Sequence, residues 1–473
     1  MPDRAGRTAG PAAMKGWTPD LRRWGKPHYL AIVESLADDI RVGRLAPGTR
    51  LPTQRALAKA IGLNFTTIAR GYVEAQRRGL VEGRVGQGTF VADPGRRPRA
   101  PEVARRGPVD FTMNLPPEPD DPALVARMRA AWAEVATELP NLLRYQAFGG
   151  TEADKDAGLG WLERRGVAAP RDRLLICPGA HSALSAVLGH VARPGDAICA
   201  EVLTYPGVRA LAAHLGLRLV DLPMDAHGVD PAAFAATCAR APPRAIYLNP
   251  LLQNPTTTTV PRARREAIVA VARRYAVAII EDDAYAFVCP NPPPSFAALA
   301  PEITYYVAGL AKCLGAGLRL AYLVAPSPRA ALALSGSLRA VSVMASPITT
   351  ALATRWIGDG TAEAVLDFIR SESRARQRVA AAILPSEAVT ADPNGFHIWM
   401  RLPAGWTRSA FASQGRSAGL GVVASDPFCV AGVPPEAVRV CLGGLATRAE
   451  VGRSLEVLAH ALERGPALAS SYI

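Results

Sequence analysis

The chain has 473 residues, 49% of them hydrophobic, and a formal net charge of +13. That length exceeds what one compact core serves, so two or three domains are expected, and no apolar run is long enough to cross a bilayer. The first twenty residues lack the apolar stretch of a secretory leader, and the seven cysteines contain no CxxC pair. A cytoplasmic chain with reduced thiols and no membrane contact is the expectation. Residues 1–106 carry 20 Lys+Arg against 9 Asp+Glu, so nearly all of the positive excess lies in the first fifth. A charge distribution of this kind points to a polyanion bound at one end.

In chain order, residues 28–42 read as an amphipathic helix with Ile32, Leu36 and Ile40 on one stripe. Pro47-Gly48 makes a turn. Leu51-Pro52-Thr53 then leads into a second helix, with Leu57, Ala60 and Ile61 inward and Gly62 ending it. Asn64 is a good N-cap for a third helix from Phe65 to Arg78, with Ile68, Tyr72 and Ala75 facing the core and Gly79 as the stop. The glycine-rich run from Leu80 to Val91 suits a two-stranded wing. Three helices and a wing over residues 24–92 make a winged helix-turn-helix, whose third helix enters the major groove by its N-terminal end. Asn64, Phe65, Thr66, Thr67 and Arg70 would then face double-stranded DNA. Arg55 would pin the backbone, and Gly86 and Gly88 would let the wing approach closely.

Residues 93–109 are rich in Pro and Arg and read as an exposed linker. Beyond it, apolar runs alternate with helical stretches: Leu174–Cys177, Ala197–Glu201, Arg218–Leu222, Ala245–Leu248, Val277–Ile280, Tyr305–Val307 and Leu320–Val324. This alternation predicts a mostly parallel sheet with helices on both faces, a large α/β domain over residues 110–325. From about Ala325 helices dominate, followed by strands near Phe396–Met400, Gly421–Val423 and Val438–Leu442. A smaller α+β subdomain is expected over residues 326–465.

Four features recur in order within this second half. Cys177-Pro178-Gly179-Ala180-His181-Ser182 joins a strand to a helix start, which favours phosphate. Asn249-Pro250-Leu251-Leu252-Gln253-Asn254-Pro255-Thr256 follows a strand. Glu281-Asp282-Asp283-Ala284-Tyr285 puts carboxylates at the end of a buried strand, where open α/β sheets bind ligands. Lys312 then lies seven residues before Arg319. Pyridoxal 5′-phosphate needs these groups: an amine for its aldehyde, a carboxylate for its ring nitrogen, phenol and amide donors for its ring oxygen, and an arginine with a helix start for its phosphate.

The N-terminal module strongly resembles the GntR family of winged-helix regulators, through Gly43, Leu45, Pro47-Gly48, Leu51-Pro52, Arg55, Leu57-Ala58, Gly62, Thr66-Thr67, Gly79 and Gly86-Gln87-Gly88-Thr89-Phe90-Val91. From about Asp110 the chain resembles fold-type I aminotransferases, and the whole looks like a MocR-type regulator. The resemblance implies Lys312 as the Schiff-base lysine, Asp282 on the pyridine nitrogen, and Tyr285 and Asn254 on the ring oxygen. It further implies Tyr205 stacked on the ring, Arg319, Ala180 and His181 at the phosphate, Tyr145 reaching the neighbouring subunit's phosphate, and Arg439 on a ligand carboxylate. The chain departs from that pattern at Gly309 and Ala311, where serines are usual, at Thr257, where glycine is usual, and at His181. Phe65 and Ala69 stand where some GntR proteins carry basic residues.

The resemblance implies a homodimeric transcriptional regulator that senses an amino-acid or amine effector, or the cofactor itself. Two other readings stay open: an active aminotransferase with a DNA-binding appendage, and a cofactor-free regulator whose sensor binds something else.

Overall fold

A computed structural model describes residues 17–24, 27–84, 88–92 and 109–469. The expectations for residues 1–16, for the linker between 93 and 108 and for Gly86 lie outside these. The chain divides into two compact units, Met1–Arg106 and Gly107–Ile473.

In the first unit, helices His28–Arg41, Gln54–Ile61 and Phe65–Arg77 precede an antiparallel hairpin of Val81–Arg84 and Gly88–Val91. Local chemistry fixes the helix ends. The Thr53 side chain accepts from Ala56 N at 3.2 Å, and Asn64 accepts from Thr66 N at 3.0 Å, each satisfying a backbone donor that the helix leaves orphaned. Gly62 closes the second helix in the left-handed region at φ 67°. Ile32, Leu36, Leu57, Ile68, Tyr72, Val81 and Val91 form the core. One expectation is corrected: Ala60 is exposed, and Ala58 with Ile61 packs inward beside Leu57. On so short a helix, positions 57, 58 and 61 share the buried side, and position 60 points away. The wing has a third partner in residues 49–51. Leu51 N donates to Thr89 O, and Val91 N to Thr49 O, both at 2.8 Å.

The second unit is built on a seven-stranded sheet. Its order is Leu174–Cys177, Ala321–Val324, Thr304–Gly309, Ala278–Asp282, Ala245–Leu248, Ala197–Glu201, Arg218–Leu222. Only Ala321–Val324 runs antiparallel to its neighbours. The middle strands are continuous apolar runs because helices cover both faces. A four-stranded antiparallel sheet follows, ordered Val389–Ala391, His397–Arg401, Ala437–Cys441, Val423–Ala424, and helix Thr361–Ile383 packs beside helix Arg448–Ala469. The strand expected at 421–423 is two strands. Leu420–Gly421 pairs in parallel with Val109–Asp110, and Val423–Ala424 pairs with Ala437–Cys441. Buried Val422 sits at the corner between them. Val109, expected to close the linker, therefore already belongs to a strand.

Strand Ala278–Asp282 ends in three consecutive acids. Glu281 meets Arg265 at 3.2 Å, and Asp283 meets Arg165 at 2.7 Å, with all four side chains at 2% exposure or less. Alternation along an extended backbone sends Asp282 to the opposite side, where Tyr247 Oη donates to its Oδ2 at 2.8 Å. Arg165→Leu would take the guanidinium from buried Asp283 and leave it only the Tyr306 hydroxyl, which donates to its Oδ2 at 3.1 Å. A loss of about 3–5 kcal/mol is expected, measurable as a lower urea midpoint; a midpoint equal to the parent's would refute the account of a dry ion pair.

Candidate functional site

Parallel strands Ala278–Asp282 and Thr304–Gly309 pair with Asp282 opposite Val307, so their carboxyl ends open on one crevice. Asp282 closes the first strand, and Lys312 follows the second in the short turn Leu310–Lys312. They share a cavity of about 620 Å³ with Tyr285, Asn254, Tyr205, Arg319, Ala180, His181 and Arg439. Tyr145, expected to reach the neighbouring subunit rather than its own cavity, is 80% exposed and does not line this one.

At one end, Gly179 caps helix Ala180–Val191 beside Arg319, which adopts the left-handed conformation at φ 51°. A Cβ on Gly179 would stand 3.3 Å from Arg319 Nη2, so the guanidinium abuts the helix start. A helix start and a guanidinium together favour an anion. Burial and the Arg319 charge hold the His181 imidazole below its ordinary pKa. Tyr205 lies across Gly207, where any Cβ would come within 2.2 Å of Tyr205 Cε1, so a side chain there would displace the ring.

Deeper in the cavity, burial pushes the Asp282 carboxyl up to about 6, against the opposing effects of the Tyr247 bond and the Lys312 charge. Its Oδ1 has no hydrogen-bond partner among the described residues. Burial brings the Lys312 amine down to about 8. Lys312 Nζ donates to the Asn114 carbonyl, and Asn114 Nδ2 donates to Tyr285 Oη at 2.7 Å. Desolvation raises the Tyr285 phenol far above its ordinary value, so it stays protonated and remains a donor. Arg439 Nη1 donates to Asn254 Oδ1 at 2.9 Å and Nη2 to the Thr112 carbonyl. The guanidinium stands 5.2 Å from the Phe428 ring, and its buried Nε has no partner among the described residues. Asn249 anchors the loop, donating to Asp282 O at 2.7 Å and accepting from Asn254 N at 2.9 Å.

In the other unit, Phe65 is 46% exposed at the start of its helix, and Thr66, Arg70 and Arg55 are also exposed. Asn64 Oδ1 is committed to the cap, accepting from both Thr66 N and Thr66 Oγ1, while Thr67 is half-buried. The Arg70 guanidinium lies 4.6 Å over the Tyr29 ring, which sets its direction. Arg50, absent from the sequence reading, covers Gly88 on the wing: a Cβ there would stand 3.2 Å from Arg50 Nε. Sequence reasoning also passed over Asn114, Thr112, Tyr247, Asn249 and Phe428. Asn249 lay within a quoted motif, and Tyr247 precedes it by one strand period. Asn114 and Phe428 carry no local signal.

Residues 107–458 match the family described as aminotransferase class I and II, which covers well over half of the chain. The chain belongs to the aminotransferase class I and II family. Residues 28–91 match the bacterial regulatory proteins of the gntR family, so this is a GntR helix-turn-helix domain fused to an aminotransferase domain, the MocR-type arrangement. The uncharacterized HTH-type transcriptional regulator YdeF of Bacillus subtilis is 28% identical over 94% of this chain and 97% of its own. The HTH-type pyridoxine biosynthesis transcriptional regulator PdxR of Corynebacterium glutamicum is 27% identical over 63% of this chain and 66% of its own. Among solved structures, the α-aminoadipate aminotransferase LysN of Thermus thermophilus, complexed with N-(5′-phosphopyridoxyl)-L-leucine, aligns with a TM-score of 0.69. It is 24% identical and covers 77% of this chain and 94% of its own, a likeness of fold. Within this aminotransferase-family chain, no helix among the described residues is long and apolar enough to cross a membrane.

The Tyr247 bond favours ionised Asp282, so Tyr247→Phe removes a stabiliser of the charged form. Asp282 is expected to titrate above 6 in that variant. Difference infrared spectroscopy measures this, with Asp282→Asn identifying the band; a downward shift would contradict the assigned bond.

Proposed function

We propose that this chain is a DNA-binding transcriptional regulator whose aminotransferase-like domain binds pyridoxal 5′-phosphate and senses an amino compound. The observation that carries this reading is the common cavity of Lys312, Asp282, Tyr285 and Arg319, with Asp282 Oδ1 left buried and unpartnered. A buried acceptor without a donor is costly, and a protonated ring nitrogen supplies one. When bound, the cofactor supplies an aldehyde for an amine and an electron-withdrawing ring.

The chain's own residues suit that guest. Desolvated Lys312 is neutral in roughly a tenth of molecules at pH 7 if it titrates near 8, and the neutral amine is the nucleophile. Asp282 is ionised above about 6 and so can hold a proton on a nitrogen facing it. Tyr285 and Asn254 offer a phenol and an amide, Tyr205 a ring face, and Arg319 with the Ala180–His181 helix start a phosphate seat. Arg439, in contact with the backbone at Thr112, is assigned to an effector carboxylate. A ligand shifts such a protein only by favouring one conformation over another, and exchanging the Lys312 and Arg439 contacts provides that difference. The GntR match and the basic excess support double-stranded DNA as partner, with Asn64, Phe65, Thr66, Thr67, Arg70 and Gly88 on the reading side and Arg55 on the backbone. A homodimer in the cytoplasm completes the proposal, with exposed Tyr145 available to the second copy.

Two experiments test it. Lys312→Ala should abolish the visible absorbance that full-length protein acquires with pyridoxal 5′-phosphate, with circular dichroism unchanged; a retained spectrum refutes the lysine. Arg55→Ala and Arg70→Ala should each weaken DNA binding and lower the slope of log affinity against log salt by about one. Gel shifts in which both variants bind like the parent would disprove the assigned reading surface.

A further inference from the structure

The two groups that define the pocket's chemistry, the Lys312 amine and the Tyr285 phenol, meet on one residue that no motif contains. Asn114 is 6% exposed and lines the cavity. Its main-chain oxygen accepts from Lys312 Nζ, and its side-chain Nδ2 donates to Tyr285 Oη at 2.7 Å. The amide oxygen of the same side chain is buried without a partner among the described residues. Asn114 does not float: the segment before it is fixed by Phe111, fully buried, whose N donates to Gly421 O at 3.0 Å and whose O accepts from Cys441 N at 3.1 Å. Thr112 N is held by Asp110 Oδ1 at 2.8 Å, and Leu115 N by Met113 O at 2.9 Å. Asn114 is therefore presented to the cavity by a segment with its own anchors.

The direction of the bond to Tyr285 has a chemical consequence. A phenol has one proton to give. Were the phenol donating to Asn114, nothing would remain for a guest. With the amide donating instead, the phenol proton is free for an oxygen in the cavity, and accepting the amide bond makes the phenol a stronger donor. The packing of Tyr285 against His397 and Phe396, at 5.6 and 5.7 Å between ring centres, leaves its hydroxyl end to be set by this contact.

We propose that Asn114 is a positioning residue: through Tyr285 it sets the proton affinity of the chromophore held in this pocket. This rests on the pyridoxal 5′-phosphate reading above. A donated phenol proton favours the deprotonated, anionic form of what it touches, so weakening that donation lets the bound chromophore keep its proton to higher pH.

The test uses full-length protein loaded with pyridoxal 5′-phosphate and the pH midpoint of its visible absorbance. In Asn114→Ala the midpoint should rise by roughly half to one unit, the worth of one hydrogen bond. Asn114→Asp preserves the shape but turns the donor into an acceptor with negative charge, and should shift the midpoint further in the same direction. In a Tyr285→Phe background the Asn114→Ala shift should largely vanish, which a merely structural role would not produce. Equal midpoints in parent and both variants, or an undiminished shift without the Tyr285 hydroxyl, overturn the assignment while leaving the cofactor reading intact. A parent protein that acquires no visible absorbance overturns both.

Discussion

Two buried ion pairs govern the architecture of the pocket. Glu281 and Asp283 face guanidinium groups that share their dry surroundings, Arg265 and Arg165, while Asp282 between them faces the other way and receives only a phenol. Burial and the neighbouring Asp283 already push the Glu281 carboxyl up to about 7, and a third carboxylate on the same side would add to that repulsion in a low-dielectric interior. Sorting by strand alternation lets a single acid stand alone in the cavity. The surrounding arrangement follows from where that acid points: Tyr247 and Asn249 hold it, and Lys312 lies across the crevice on the neighbouring parallel strand's extension.

The second constraint is the meeting of distant chain segments. Arg439 comes from the four-stranded sheet, Asn254 from a loop of the large sheet and Thr112 from the segment that opens the second unit, yet they are joined by direct bonds. The guanidinium is buried, and burial pulls its proton affinity down. Among the described residues its Nε has no partner, and leaving a charged group partly unsatisfied is a cost to stability.

Much of this was legible in the residue order. Continuous apolar runs marked the central strands because helices cover both faces, and the acids just after Ile280 marked a strand's exit from the core. The spacing of Lys312 and Arg319, together with the strand-turn-helix at Gly179, picked out residues that line one cavity. What escaped had physical reasons. Asn114 acts through a carbonyl and one amide, so neither charge nor periodicity distinguishes it. Val422 turns a corner that composition reads as one strand. Ala60 faces water because an eight-residue helix offers too few turns to fix its buried side from pattern alone. Arg50 reaches the wing through strand pairing at residues 49–51, a contact that the sequence reads only as a turn before a helix.

The strand Val109–Asp110 and the fully buried Phe111 carry a practical consequence for anyone dissecting the protein. They look like the frayed start of the second unit, but they secure Thr112 and Asn114 in the pocket wall. A truncated second unit beginning a few residues later would keep every recognisable motif and lose two of the backbone oxygens that accept from its buried cations. The DNA-binding head can be removed only upstream of position 109, and transplanting this aminotransferase-family unit onto another head requires carrying that short edge with it.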